Sequence, residues 1–358
     1  MALSHRENWL RTVRMTGPER MPYGIHLSGA SWAALGEKLE QVVLRHPKTW
    51  PNFRKGSVDW SRPRYDPIED PSQDFVDAWG SVWRTTKAGF TGVVVEPVLA
   101  DVAKLDSLTP PEAATYNGGI RPVDWDDARR RMAEVKRRGG LASGGLNHGY
   151  YMLRLEYLRG FDNLMCDLAM DTPQIRRLAE MVHELNKTAV RNWIDAGAEV
   201  IYLPEDLGSQ RHSMLGPRLF RKWVTPYHKE LHDMAHAAGR LTHFHCDGAI
   251  MDVADEICRI GPDVFNPQDR ANGVAELARA FKGRLCILLD FDRQYAIPFG
   301  TRGQIEELIE MEVRTLGSPE GGLMFSVEIR GEVPPENIDA IADALETWST
   351  YWFEPGRR

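Results

Sequence analysis

The chain has 358 residues, of which 42% are hydrophobic and 27% charged, an ordinary composition for a globular protein with a large core. Its formal net charge of −7 argues against a nucleic-acid-binding groove, because phosphate recognition needs a clustered basic surface. The sequence has no membrane-length apolar run, no apolar secretory signal and only four scattered cysteines, so we expect a reduced, cytoplasmic protein.

The N-terminal part is irregular. A predicted strand at residues 21–27 follows a short basic helix and a Gly-Pro-Glu-Arg turn at 17–20. Residues 50–122 are rich in turns, and we expect a region from about 30 to 135 to decorate the main fold with long loops. Seven of the eleven tryptophans precede residue 130; they either pack these loops or form an aromatic wall for a ligand.

From residue 140 onward, short apolar runs alternate with amphipathic helices. Helices are predicted from Pro173 to near Gly197, over 217–238, over 301–315 and from Pro335 through Trp348. The strands are predicted at 140–146, 198–203, 240–245, 263–266, 285–289 and 322–327. This alternation indicates an α/β fold: a (β/α)8 TIM barrel with an elaborated N-terminal region, forming one domain over residues 1–358. A doubly wound open sheet is the alternative.

Polar side chains follow several of these strands. Catalytic groups cluster at the carboxyl ends of the strands in a parallel barrel. The residues at those positions are Asn147 and His148, Glu205 and Asp206, His243 to Asp247, Asp290 and Asp292, and Glu328 with Arg330.

The segment His243–Asp247 has the highest density of potential metal-binding or catalytic side chains, with two histidines, a cysteine and an aspartate in five residues. Because side chains two apart share one face of a strand, His243 and His245 point the same way, with Asp247 if the strand continues. His245 with Cys246 or Asp247, completed by Glu328 from a distant strand, suits a catalytic zinc with an open position. The alternative is that His243 is a satisfied core histidine and Cys246 a small buried apolar residue.

The carboxylates supply the remaining candidates. Glu205 and Asp206 point to opposite sides of an extended segment, and we expect Asp206 to face the site while Glu205 supports a loop or caps a helix. Asp290 and Asp292 share a face, although Asp292 could instead cap the following turn. We therefore assign catalytic roles to Asp206, Glu205 and Asp292, and substrate-binding roles to Asn147, His148, Tyr202, His243 and Asp290.

Several short motifs occur in a fixed order along the chain. They are Gly17-Pro18-Glu19-Arg20-Met21-Pro22, Asp77 to Trp83, Arg159 to Leu168, Asp206-Leu207-Gly208, Gly300-Thr301, Gly321 to Ser326, and Pro334 to Ile338. In this order they resemble the uroporphyrinogen decarboxylase-like superfamily, closest to its corrinoid-dependent (methylcobamide) methyltransferase branch. The resemblance covers nearly the whole chain and implies a TIM barrel.

The methyltransferase branch carries a His-x-Cys-Gly zinc motif, which His245-Cys246-Asp247-Gly248 resembles with Asp247 at the second ligand position. Glu328 stands where the branch offers a cysteine. The resemblance implies zinc and a corrinoid (cobalamin) carried by a separate partner protein, since the chain lacks an Asp-x-His-x-x-Gly motif. It also makes a homodimer a possible assembly.

The expected activity is therefore O- or N-demethylation. A methyl group would move from a small methylated compound, for example an aromatic methyl ether, to the corrinoid protein. The alternatives are transfer from methyl-corrinoid to a thiol or folate, a decarboxylase of the same superfamily, a metal hydrolase, and a non-catalytic binding protein.

Overall fold

The structure, a computed structural model, describes residues 3–354. Its helices are α1 (His5–Arg14), α2 (Gly29–Leu35), α3 (Glu37–Arg45), α4 (Trp125–Arg137), α5 (Met152–Arg159), α6 (Phe161–Met170), α7 (Pro173–Asp195), α8 (Pro217–Trp223), α9 (Thr225–Ala237), α10 (Ala254–Ile260), α11 (Asp269–Asn272), α12 (Val274–Phe281), α13 (Ala296–Phe299), α14 (Arg302–Leu316) and α15 (Pro335–Trp348). Its strands are β1 (Tyr23–Leu27), β2 (Phe75–Val76), β3 (Val82–Arg84), β4 (Val93–Glu96), β5 (Ser143–Gly145), β6 (Val200–Asp206), β7 (Leu241–Asp247), β8 (Val264–Pro267), β9 (Cys286–Asp290) and β10 (Leu323–Ile329).

Local capping chemistry sets the ends of the long helices. Thr172 accepts a hydrogen bond from the backbone N–H of Ile175 and Pro173 opens α7, as the sequence predicts. Thr301 and Gln304 form a reciprocal capping box at the start of α14. Both predicted helices are confirmed. They could be predicted because the capping residues lie within a few residues of the helix start.

The single helix predicted over 217–238 is wrong. Two helices occupy it, with α8 ending at Trp223 and α9 beginning at Thr225. Pro226 lacks a backbone N–H, and its ring disfavours a carbonyl four residues earlier, so a continuous helix cannot pass through it without a break. This proline is present in the sequence and would have predicted the break between α8 and α9.

The chain divides into two compact units. Unit one contains the described residues up to Asp70, Lys87–Thr91 and the described residues from Pro267 onward. Unit two contains Pro71–Thr86 and Gly92–Asn266. The prediction of one domain stays a prediction.

Unit one is built on three parallel strands in the order β1-β10-β9. Tyr23 aligns with Phe325 and Phe325 with Leu289 across the strands. Helix α14 packs against α12 and α15. Buried aliphatic and aromatic side chains from both layers form its core, among them Ile287, Leu289, Ile305, Ile309, Phe325, Val327, Ile338, Ile341 and Leu345.

Unit two has four parallel strands in the order β8-β7-β6-β5. Helix α7 packs closely on β5: a side chain at Gly144 would place its Cβ 2.2 Å from the ring of Trp193, so only glycine fits. The antiparallel strands β2, β3 and β4 also belong to this unit and were not predicted.

A buried ion pair anchors the loops of unit two. Asp77 accepts hydrogen bonds from Arg154 Nη1 at 2.6 Å and Trp83 Nε1 at 3.0 Å, and the side chains of Asp77 and Arg154 are both fully buried. The carboxylate also accepts from the backbone N–H groups of Trp79 and Ser81. The motif from Asp77 to Trp83 therefore has a structural role, because its aspartate holds these loops together.

Parallel strands alternate with helices in both units, which confirms the α/β, TIM-barrel class for the described residues. None of the four cysteines forms a disulfide bond. Within residues 3–354, none of the helices has the combination of length and apolar sequence that crossing a bilayer requires.

Candidate functional site

The carboxyl ends of β5, β6 and β7 gather polar side chains in unit two. Along β7, exposure alternates, with His243, His245 and Asp247 half-buried and the residues between them buried. The strand does continue through Asp247, which aligns with Asp206 on β6. His245 and Asp247 therefore share the face that the sequence predicts.

His148, Asp206 and His245 converge at this edge. His148 Nε2 lies 3.1 Å from Asp206 Oδ1, and His245 Nε2 lies 3.7 Å from the same oxygen. One potential ligand atom from each of the three residues falls within 4.8 Å of the others. The arrangement can hold a metal ion through two imidazoles and one carboxylate.

The ring of His245 is oriented by Asn266, at the end of β8. Its Nδ1 lies 2.8 Å from Asn266 Oδ1, an acceptor, so Nδ1 carries the proton. Nε2 is then the nitrogen that faces Asp206 and, at 3.2 Å, Asp247. Sequence reasoning missed Asn266, although its position at the carboxyl end of a predicted strand was a usable signal.

Glu205 points away from this cluster. It is fully buried and accepts hydrogen bonds from the backbone N–H groups of Tyr151 and, at 3.1 Å, Leu153. Burial raises the pKa of Glu205 to about 7 in spite of these donors. Its contacts are those of a residue that holds the start of α5, and the assigned catalytic role stays a prediction.

Cys246 lies on the opposite face of β7 from His245. Its thiol is buried and accepts a hydrogen bond from the backbone N–H of Leu207 at 3.3 Å. Burial raises the pKa of Cys246 well above its ordinary value, which disfavours the thiolate that a zinc ligand needs. The predicted ligand role of Cys246 stays a prediction, and its surroundings favour Asp247 over it.

Two glycines allow the loops after β6 and β7 to touch. Gly248 has a φ of +83°, and a Cβ there would lie 2.3 Å from the backbone carbonyl carbon and oxygen of Gly208. A Cβ on Gly208 would in turn meet the backbone of Gly248 at 2.5 Å. This contact fixes the two loops that follow Asp206 and Asp247.

Three residues predicted to bind substrate lie on or just after these strands. Tyr202 and His243 are each the third residue of their strand, four residues before its carboxyl end, and Asn147 follows β5. The rings of Tyr202 and His243 are 4.7 Å apart, on adjacent strands. Burial, with the neighbouring His245, lowers the pKa of His243 to about 3, so its ring is neutral. Among the described residues, nothing hydrogen-bonds to the buried Oδ1 of Asn147.

The other predicted site residues belong to unit one. Arg293 pairs with Asp290 at 2.8 Å and with Glu328 at 3.0 Å, and Arg330 also pairs with Glu328 at 2.7 Å. Asp292 accepts from the backbone N–H groups of Gln294 and Tyr295 and so caps a turn, as the alternative reading held. The catalytic, metal and substrate roles assigned to these residues stay predictions.

Comparisons with known proteins bear on the family and the fold. The family model for uroporphyrinogen decarboxylase (URO-D) matches residues 86–348. No curated protein sequence matches the chain.

Among solved structures, a methyltransferase from Methanosarcina mazei aligns with 96% of this chain and 98% of its own, at 12% identity and a TM-score of 0.64. A 3-keto-D-glucoside 4-epimerase from E. coli aligns with 63% of this chain and 85% of its own, at 13% identity and a TM-score of 0.40. A B12-independent methionine synthase from a Shewanella species aligns with 87% of this chain and 86% of its own, at 11% identity and a TM-score of 0.44. At these identities the first comparison shows a shared fold.

The family match extends over most of the chain and includes β5 to β10, whose carboxyl ends carry the site residues. The resemblance drawn from the short sequence motifs is confirmed at the level of this superfamily. The chain belongs to the uroporphyrinogen decarboxylase (URO-D) family.

Proposed function

We propose that the chain is a methyltransferase that moves a methyl group from a small O- or N-methylated substrate to a separate corrinoid protein, with the help of a zinc ion. The observation that carries the proposal is the convergence of His148, Asp206 and His245 at the carboxyl ends of adjacent strands. Family membership and the fold shared with the Methanosarcina mazei methyltransferase support the methyltransferase class.

The residues present fit a zinc ion. Two imidazoles and a carboxylate leave a fourth position open, as catalytic zinc sites do. His245 Nδ1 donates to Asn266, and Nε2 faces two carboxylates, an arrangement that either a proton on Nε2 or a bound cation would stabilise. When bound, zinc would act there as a Lewis acid that draws charge from the substrate heteroatom.

This ligand set differs in part from the one expected from sequence. It keeps His245 and adds His148 and Asp206. Asp247, 3.2 Å from His245, remains a further candidate ligand, whereas Cys246 and Glu328 are engaged elsewhere through a backbone N–H and two arginines. An oxygen- and nitrogen-rich set is harder than the thiolate set of thiol-directed enzymes, and this favours a demethylating direction.

Other residues of unit two would position the substrate. The neutral ring of His243 and the ring of Tyr202 form an aromatic surface on adjacent strands, suited to a flat methylated compound. Asn147 Oδ1 can accept a hydrogen bond from it. Glu205 would act as a positioning residue, because it holds the backbone at the start of α5.

A decarboxylase is the second candidate, favoured by the description of the matching family model. Such an enzyme acts on a carboxylate and needs cationic groups to hold it. The cluster in unit two is instead built from two histidines and two aspartates. Decarboxylation that is indifferent to chelators would support this candidate over the methyltransferase.

The direct test is an anaerobic assay with cob(I)alamin as a surrogate acceptor. The full chain would be incubated with methoxylated aromatics, methanol and methylamines, and methylcobalamin formation followed by absorbance. We expect transfer from at least one donor and its loss after chelation, with recovery on adding zinc. Carbon dioxide release from a porphyrinogen carboxylate without metal, together with no methyl transfer, would contradict the proposal.

A further inference from the structure

A cavity of about 340 Å³ lies within unit one, beside the start of α11 and along α14. Its volume is in the range of small-molecule sites. The residues that define its chemistry are Asp269, Arg270, Asp292, Tyr295, Leu308 and Glu312.

Glu312, on α14, is the unusual member of this lining. Its side chain is fully buried, and among the described residues neither carboxylate oxygen accepts a hydrogen bond from an N–H group or a hydroxyl. Its carboxyl neighbours are Asp269 and Asp292. A buried carboxyl without a donor is costly, and native proteins rarely leave one in place without a partner or a function.

The three acids differ in how they are satisfied. Asp292 pairs with Arg270 Nη1 at 3.2 Å and accepts two backbone N–H groups. Asp269 accepts backbone N–H groups from Arg270 and, at 2.9 Å, Asp292. Among the described residues, neither Asp269 nor Glu312 forms an ion pair with a cation. The hydrogen bond between their two carboxyl groups therefore requires a proton on one of them.

We propose that this cavity binds a small molecule through a primary ammonium group that donates hydrogen bonds to Glu312 and Asp269. An ammonium is a compact charge with three donors, which matches two carboxyl groups lacking a cation. The apolar part of the ligand would lie against Val274, Ala296 and Leu308. A metal ion fits less well, because among the described residues the ligand atoms of these acids do not converge as those of the His148 cluster do.

The protonation of the pair supports this choice. Burial raises the pKa of Asp269 to about 6 and that of Glu312 well above its usual range. The other charged groups that face the pair are Asp292 and Arg270. An arriving ammonium would replace a proton of the pair, so binding releases protons. It therefore strengthens as the pH rises through about 6, the pKa of Asp269, and further toward the higher pKa of Glu312, until the amine itself deprotonates.

The test is isothermal titration calorimetry of the full chain with benzylamine, and with benzyl alcohol and benzoate as neutral and anionic isosteres. We expect saturable binding of benzylamine alone, with proton release shown by buffers of different ionisation enthalpy. Glu312→Gln, which keeps the volume, should weaken binding about 10-fold or more. Asp269→Asn is a second variant that should have the same direction of effect.

His245→Ala is the control that separates this site from the proposed methyl transfer, and it should bind benzylamine as the wild type does. Equal binding of benzylamine and benzyl alcohol, or no saturable heat from benzylamine at millimolar concentrations, would overturn the inference. So would unchanged affinity in folded Glu312→Gln and Asp269→Asn proteins.

Discussion

The two units place acidic side chains at the carboxyl ends of parallel strands, but they satisfy them differently. In unit two, Asp206 faces the imidazoles of His148 and His245. In unit one, Glu328 lies between the guanidinium groups of Arg293 and Arg330. Permanently charged arginines neutralise a carboxylate, whereas imidazoles with available lone pairs can share it with a metal ion. The partner of a strand-end carboxylate therefore indicates its role better than its position does.

The two units also differ in how they satisfy a buried glutamate. Glu205 of unit two receives two backbone N–H groups, while Glu312 of unit one receives no donor from the described residues. Both carboxyls are fully buried. The first is explained by local structure, and the second leaves a demand for a donor that a ligand can meet.

The largest expected effect is at His245, in the histidine–aspartate cluster of unit two. His245→Ala removes a proposed zinc ligand and should lower the methyl-transfer rate more than ~100-fold, beyond the loss typical of a residue that only orients a ligand. The measurement is the cobalamin methylation rate at saturating zinc. His236→Ala, which removes a histidine paired with Asp263, is the matched control and should retain the rate.

A smaller effect is expected at the residue that orients His245. Asn266→Ala removes the acceptor of the hydrogen bond from His245 Nδ1 and should weaken zinc affinity by about 10–100-fold. Competition with a chromogenic chelator measures this affinity. Asn163→Ala on α6 serves as a control. Unchanged affinity in the Asn266 variant would show that the His245 ring does not depend on this contact.

The acid pair of unit one should produce a pH-dependent stability change. A carboxyl whose pKa is raised in the folded state stabilises the fold at low pH and loses this contribution as the pH rises through the folded pKa, here about 6 for Asp269. Glu312→Gln removes the like charge and should raise the free energy of unfolding by about 1–3 kcal/mol near pH 8, with little change near pH 4. Denaturant titrations at the two pH values check this, and equal gains at both would contradict it.

The smallest effect is expected at Glu328. Because its side chain is half-exposed and paired with arginines, Glu328→Gln should change stability by about 0–1 kcal/mol and leave the zinc content unchanged. Elemental analysis and thermal unfolding measure both. Loss of zinc in this variant would instead favour the ligand set expected from sequence.

Local signals predicted much of the fold. The Thr172-Pro173 start of α7 and the alternation of His243, His245 and Asp247 along β7 depend on neighbouring residues alone, and both are observed. The break before α9 was also local, at Pro226, and was overlooked.

Contacts between distant segments were harder to infer. Strand-end position identified His148, Asp206 and His245 as candidates, but spacing along the chain does not tell which side chains meet. The pairing of Glu328 with Arg293, and of His245 with Asn266, depends on which strands are neighbours and on rotamers. For the same reason, the sequence did not reveal that Glu312 and Asp269 would be enclosed together.

The most direct test of the central claim is the metal content of the purified chain, measured by elemental mass spectrometry beside His148→Ala and His245→Ala. The proposed site predicts about one zinc per chain in the wild type and its loss in both variants. A folded, carefully prepared wild type without metal that also gains none from added zinc would contradict the account.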